Sequence, residues 1–421
     1  MIAMLFRLAL RNAFRFRRRT AVTALAIAFG LGLTIIGISL FNGVEKTSLA
    51  NIKGSETAHF LVYAEGYADR RDRLPTDQLI QNPDRLAQRL RSRPEVAGAA
   101  CRLRCAATVI NGLDELPAIA IGVEAVNDRR VFPMEDSLVA GKFLSPADAD
   151  SLLIGIDLAH DIGLAVGDSC SLRLFASGDG LAWDALEVQV KGIFASGNPR
   201  LDRAVVFLPL RLLQESLAAS GRASEIAVRL TNEKRLAGMK TAIQGLLTAE
   251  GFRGDVFSYR DIAAELIEVS RLRSRFHALV PLVMLLVAAL GIVNTMLMAV
   301  MERTREIGLL RSMGFRSRDV LLLFVMEGGI IGVLGSAAGC ILGGLGGWVL
   351  EARGIDISFL GREVAAIAAS IYPIKNIFYA DLSAGILAFV FAFGTIISVC
   401  CSAYPAWRAS RLDPVVALRQ A

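Results

Sequence analysis

Apolar positions along the chain gather into four long runs separated by polar stretches. Residues 20–44 carry no charge, 276–301 only His277, 320–350 only Glu327, and 382–407 none. About 20 consecutive apolar residues span the hydrocarbon core of a bilayer, so the pattern predicts four transmembrane helices. Between the first two runs, residues 45–275 change character. Short β-like runs at 59–64, 118–123, 169–175, 186–194, 204–208 and 225–230 read as strands. Stretches at 83–91, 209–219, 233–249 and 259–275 read as helices. Runs of both kinds in a block of this size predict a large α+β domain with its own core, inserted between helices 1 and 2. The charged segment 69–82, around Pro75, reads as a loop or a junction between lobes.

Finer periodicities add three features. In residues 1–19, Arg7, Arg11, Arg15 and Arg18 fall on one helical face, with Phe6, Leu10, Ala13 and Phe14 toward the other. Such an amphipathic helix lies in the membrane interface. Ile262, Leu266, Val269, Leu272 and Phe276 form one apolar stripe leading into the second run. A continuous helix over 261–301 would be roughly 60 Å long, a stalk able to carry motion between the domain and the membrane. In the third run, Gly328, Gly332, Gly335, Gly339, Gly343 and Gly347 recur at helical spacing. Small residues in this pattern let membrane helices approach closely; the spacing leaves open whether the neighbour belongs to this chain or to a second copy.

The net charge of +6 over 421 residues becomes informative when divided by region. The first 19 residues carry six arginines and no acid. The 302–319 connector carries five arginines against Glu302, Glu306 and Asp319. The 408–421 tail has three arginines against Asp413, whereas 45–275 and the 351–381 loop are slightly acidic. Basic flanks stay in the cytoplasm, which predicts both termini and the connector inside and the large domain outside. The basic N-terminus followed by an apolar run is expected to be a retained anchor, because the run is long for a signal peptide. Charge at span ends is accounted for by topology, so no nucleic acid partner is expected.

Candidate chemistry is sparse. No G-x-x-x-x-G-K-[ST] occurs, since Gly141-Lys142 is followed by Phe143, and there is no G-x-S-x-G or H-E-x-x-H. His59, His160 and His277 are scattered, no Cys/His group has metal-ligand spacing, and Cys101, Cys105 and Cys170 read as unpaired small apolar residues. No enzyme activity and no cofactor on this chain are expected. Glu327, inside the third run, is a functional candidate by position, or a carboxylate that fixes the helix by pairing with a connector arginine. The connector reads as a short amphipathic helix along the membrane surface. Arg303, Ile307, Leu310 and Arg311 share one side, Glu302, Arg305, Glu306 and Gly308 lie along it, and Met313-Gly314 closes it. Apolar knobs beside arginine forks suit a cytoplasmic protein partner.

The segment ERTREIGLLRSMGFRSRDVLLLFVMEGGIIGVLGSAAGCILG and the closing YPAWRASRLDPVVALR resemble the FtsX/MacB superfamily of ABC-transporter permeases. LIGIDLAHDIGLAVGDSCSLRL and VKGIFASGNPRLDRAVVFLPLRLLQ resemble the lipoprotein-releasing LolC/LolE branch. The resemblance implies a bacterial inner-membrane protein that pairs with a second copy or a paralogue. Two separate ATP-binding subunits, holding ATP and Mg, would dock on the 302–314 helix. Closure would be transmitted through the stalks to the outer domain. In that branch the cargo is a lipoprotein handed to a periplasmic carrier; efflux and control of cell-wall hydrolases are the alternatives within the superfamily. The 196–202 turn (SGNPRLD) lies near where a carrier-binding loop would be expected.

Overall fold

The computed structural model describes residues 2–15, 17–176, 182–262, 264, 283, 289–291, 293–294, 297–298, 300–356 and 377–411. Most of the second apolar run, the predicted stalk beyond Ile262, most of the 351–381 loop and the tail beyond Arg411 lie outside these residues. In chain order the elements are α1 (Ile2–Arg15), α2 (Arg17–Ile52), β1 (Phe60–Ala64), β2 (Ile80–Gln81), α3 (Pro83–Arg91), β3 (Val96–Asn111), β4 (Asp114–Val123), α4 (Ala125–Val131), β5 (Leu138–Gly141), β6 (Ser151–Gly155), α5 (Ile156–Ile162) and β7 (Ser169–Phe175). There follow β8 (Ala182–Phe194), α6 (Pro199–Ala204), β9 (Val205–Pro209), α7 (Leu210–Ser216), β10 (Arg222–Ala223), β11 (Glu225–Leu230), α8 (Leu236–Ala249), β12 (Gly254–Ser258), α9 (Tyr259–Ile262), α10 (Thr304–Ser312), α11 (Ser317–Arg353) and α12 (Ala384–Ser410). Two compact units emerge: a helical one from residues 1–46, 269–355 and 378–421, and a sheet domain from 47–268 with 356–377.

In the helical unit, three helices among the described residues are long and apolar enough to cross a membrane: Thr20–Thr57, Ser317–Arg353 and Ala384–Ser410. Each outruns the hydrophobic stretch that announced it, because arginines and polar residues at the ends continue the helix past the apolar run. Ile27, Leu31 and Ile35 of α2 pack with Ile331 of α11 and Val390 of α12. Phe29, Leu345, Trp348 and Phe389 face outward, as side chains bathed in lipid would. In α1, Leu5 and Ala9 pack on Leu323. Phe6, Leu10 and Phe14, read from sequence as the apolar side, are exposed. The helix therefore has an inner line, an outward aromatic line and a basic face.

In the sheet domain, β12, β1, β11, β3, β4, β9, β6, β8 and β5 are successive neighbours, and β7 pairs with both β3 and β8. The path β3–β4–β9–β6–β8–β7 thus closes on β3, leaving no free edge within that ring. Pairings β4/β9 and β6/β8 are parallel and the others antiparallel. Alternation places Phe60 and Val62 in one core with Leu103, Leu172, Val206 and Ile243, and Leu61 and Tyr63 in another with Ile121, Phe132 and Phe207. The 16-residue β3 pairs with β11 over its first half and with β4 and β7 over its second. Its Arg102 is fully buried, forked onto Asp128 of α4 at 2.7 and 3.0 Å, with the guanidinium carbon 3.4 Å from the Phe132 ring centroid.

Candidate functional site

The connector builds its geometry from both ends. Thr304 begins α10, and its hydroxyl donates back to the carbonyls of Val300 and Met301 at 3.1 and 2.9 Å. The helix stops at Gly314, whose φ of +95° suits glycine. There the Gly314 N–H donates to the Arg311 carbonyl and the Phe315 N–H to the Leu310 carbonyl. Three residues on, α11 starts with the Asp319 carboxylate accepting the Arg316 N–H at 2.9 Å, one half of a capping box.

The ten connector residues singled out from sequence do not face one way. Arg303 and Glu327 form a buried ion pair, one guanidinium nitrogen lying 3.0 and 3.2 Å from the two carboxylate oxygens with both side chains 6% exposed. Ile307 and Gly308 are buried, Leu310 packs beside Leu5, Ala9 and Leu323, and Arg311 donates to the Ser410 carbonyl at 3.2 Å. The side shared by Arg303, Ile307, Leu310 and Arg311 is thus consumed within the bundle. Glu302, Arg305, Glu306, Met313 and Gly314 are exposed, with Glu306 3.6 Å from Arg15 in a surface pair. Between them stands Leu309, which is not one of those ten, 53% exposed; Met313 is 71% exposed. Arg305, Leu309 and Met313 lie four apart, one stripe on the open face. The four-residue spacing of Arg305 and Leu309 is legible in the sequence; that their side is the open one is not, since Ile307 and Leu310 are as apolar as Leu309.

The glycine pattern resolves onto two neighbours in the same chain. A Cβ on Gly335 would meet Ile27 at 2.8 Å, on Gly339 Leu31 at 2.9 Å, and on Gly343 the backbone of Gly32 at 2.9 Å, so these three bring α11 against α2. A Cβ on Gly332 would meet the Ser398 Cβ of α12 at 2.5 Å, and the Ser398 hydroxyl donates to the Gly328 carbonyl at 2.8 Å. Gly347 abuts Leu382.

Elsewhere, Asp84, Cys101 and Glu124 bring three potential ligand atoms within 4.8 Å of one another, a grouping invisible in the sequence spacing. Burial pushes the Cys101 thiol far up, keeping it protonated, and it donates to Asp84 at 3.9 Å. Burial also raises Glu124, which accepts from Asn127 at 3.0 Å and from Arg91 at 3.4 Å. The group is satisfied by its own contacts. Cys101, Cys105 and Cys170 are unpaired and buried. The 196–202 turn folds inward instead of projecting. Asn198, Leu201 and Asp202 are buried, Asp202 accepts from the N–H and hydroxyl of Ser196, both at 2.7 Å, and the Asn198 side chain caps α6.

Residues 278–414 match the FtsX-like permease C-terminal model, and residues 20–246 match the MacB-like periplasmic core domain model. The chain is 26% identical over 407 residues to the macrolide export ATP-binding/permease protein MacB of Nitrobacter winogradskyi, covering 95% of this chain and 58% of that one. It is 25% identical over 413 residues to the lipoprotein-releasing system transmembrane protein LolC of Neisseria meningitidis serogroup B, covering 95% of this chain and 94% of that one. It therefore spans less than two thirds of the length of MacB relatives. The crystal structure of the periplasmic region of MacB from Actinobacillus actinomycetemcomitans aligns with 53% of this chain and 98% of that one, at 15% identity and a TM-score of 0.38. With one family model covering more than half of the chain and the other most of the remainder, the chain belongs to the FtsX/MacB superfamily of permeases.

Proposed function

We propose that this chain is the membrane subunit of a bacterial inner-membrane ABC transporter, with ATP hydrolysed on a separate partner. In this reading the run 276–301 is the second of four spans, the sheet domain is inserted between spans 1 and 2, and both termini lie in the cytoplasm. The partner docks on the stripe Arg305–Leu309–Met313, with Glu302, Glu306 and Gly314 around it. Arg303, Ile307, Gly308, Leu310 and Arg311 hold α10 to the bundle, so that a push on its outer face moves α11. The observation that carries the reading is the buried Arg303–Glu327 pair behind an exposed apolar stripe. It supplies a stiff inner attachment and an open outer face on one short helix. Two permeases and two ATPases would make the complex, and motion would pass through the predicted stalk to the sheet domain.

The match to LolC over nearly all of both chains favours lipoprotein release, with a periplasmic carrier as acceptor. The match to MacB supports export of another amphiphile as the second reading. The test is Leu309→Glu with Met313→Glu in the full chain. Loss of ATPase co-purification from membranes, with normal insertion and melting, is expected; co-purification at the wild-type level would sink the docking assignment. Mass spectrometry of the wild-type complex separates the cargo readings. Acylated proteins support release, and a cell-wall hydrolase or its activator would replace it with a regulatory role.

A further inference from the structure

The chain enters the sheet domain at Thr47 and leaves it at Glu268. The entering segment ends in the π-type turn Lys53–Thr57, and the leaving segment starts as α9. They are neighbours, since the Tyr259 N–H donates to the His59 carbonyl at 3.1 Å. Glu233 opens the short 3-10 turn ahead of α8 and reaches both. One carboxylate oxygen accepts from the Lys53 ammonium at 2.8 Å, and the other from the Tyr259 hydroxyl at 2.7 Å. Tyr259 is buried, the Lys53 nitrogen lies 5.7 Å from its ring centroid, and Arg260 donates to its hydroxyl at 3.1 Å. The turn holding Glu233 is itself fixed, because the Asn232 side chain accepts the Lys234 N–H at 3.0 Å. Each connection also has its own anchor to the domain. Glu56 accepts from Asn198 through its carboxylate and from Arg104 through its carbonyl; Asp261 accepts from Lys240 and from the Ser258 N–H.

We infer that Glu233 is a positioning residue that locks the entering and leaving connections together, so that they move as one body. A surface ion pair serving stability alone has no reason to divide its two carboxylate oxygens between the two segments that join the domain to its membrane helices. The inference rests on the force-transmitting reading proposed above. Without the lock, motion of one connection would be absorbed locally.

The test uses the full-length chain with Cys340, Cys400 and Cys401 replaced by serine. Spin labels are placed at the exposed positions Ala50 and Ala264, and the chain is reconstituted with its ATPase. A narrow distance distribution is expected for the wild type and for the charge swap Lys53→Glu with Glu233→Lys. Distributions several-fold broader are expected for Glu233→Gln and Lys53→Met, together with a several-fold fall in acylated protein released per ATP hydrolysed, while the melting temperature of the sheet domain falls by no more than about 4 °C. Tyr259→Phe, which removes only the hydroxyl, should broaden the distribution less. An unchanged width in Glu233→Gln overturns the lock. Broadening in the variants of a chain whose wild type recruits no ATPase keeps the lock and overturns the transport reading.

Discussion

The two units are stabilised in opposite ways. The sheet domain hides large apolar side chains in two cores on the faces of its strands. The helical unit turns many of its large apolar side chains outward and brings its helices together through glycines. In water the apolar surface is the driving force. In lipid that force vanishes between helices, and close backbone approach takes over. Yet both units contain a buried arginine–carboxylate pair, Arg102–Asp128 and Arg303–Glu327. A buried pair is weak evidence of stability, because desolvation offsets much of the attraction. The domain pair is bidentate and stacked on Phe132, whereas the helical pair uses a single guanidinium nitrogen. The first resembles a packing keystone, and the second a joint.

Breaking one partner should give the largest effects. Glu327→Ala and Asp128→Ala should each destabilise their own unit by about 3–5 kcal/mol, read as loss of hydrogen-exchange protection confined to α10–α11 or to β3–α4. Replacing both partners sharpens the contrast. Arg303→Met with Glu327→Leu should regain stability but lose stimulated ATP hydrolysis, and Arg102→Met with Asp128→Leu should regain stability and keep it. Loss of coupling in the domain double variant would erase the distinction.

Glycine substitutions come next. Gly343→Val should cost about 1–3 kcal/mol through overpacking against Gly32, seen as a lower melting temperature in detergent. Gly37→Ala, with nothing within 4 Å of the added carbon, should be neutral or slightly stabilising. The smallest effect is electrostatic. The Lys53 hydrogen bond holds the Glu233 carboxyl below its ordinary value. Its contribution is therefore present above the unfolded value of about 4.3 and is lost as pH falls through the lower folded value. Glu233 is 40% exposed, so screening keeps the effect below about 1 kcal/mol. Glu233→Gln should flatten the acid limb of the melting temperature by that small amount.

Legibility in the sequence followed how locally each feature is determined. β7 and β11 occupy the expected 169–175 and 225–230 because alternation of large residues with polar ones marks them. α3 fits 83–91, with Pro83 at its first turn. β3 is not among the strand runs that the sequence pattern marks. Its Ala, Gly and Cys residues carry weak strand preference, and buried Arg102 breaks the expected alternation. β6 and β12 were also missed, as were the short helices α4, α5 and α6, whose ends are set by packing. In the connector, the helix itself could be read from spacing, but its inward side could not. Ile307, Leu309 and Leu310 are equally apolar, and only the positions of Glu327 and Leu323 decide which of them turns outward.

The order of strands in the sheet carries one more consequence. β1, the domain's first strand, lies between β11 and β12, its last two. Phe60 meets Ser258 across roughly two hundred residues of intervening chain. Local pairings such as β3 with β4 can form as soon as their hairpin emerges, whereas β1 must wait for β11 to gain one neighbour and for β12 to gain the other. A ribosome stalled anywhere before residue 225 would leave Phe60, Leu61, Val62 and Tyr63 without either of their neighbouring strands. The first strand made is thus among the last to be paired on both edges.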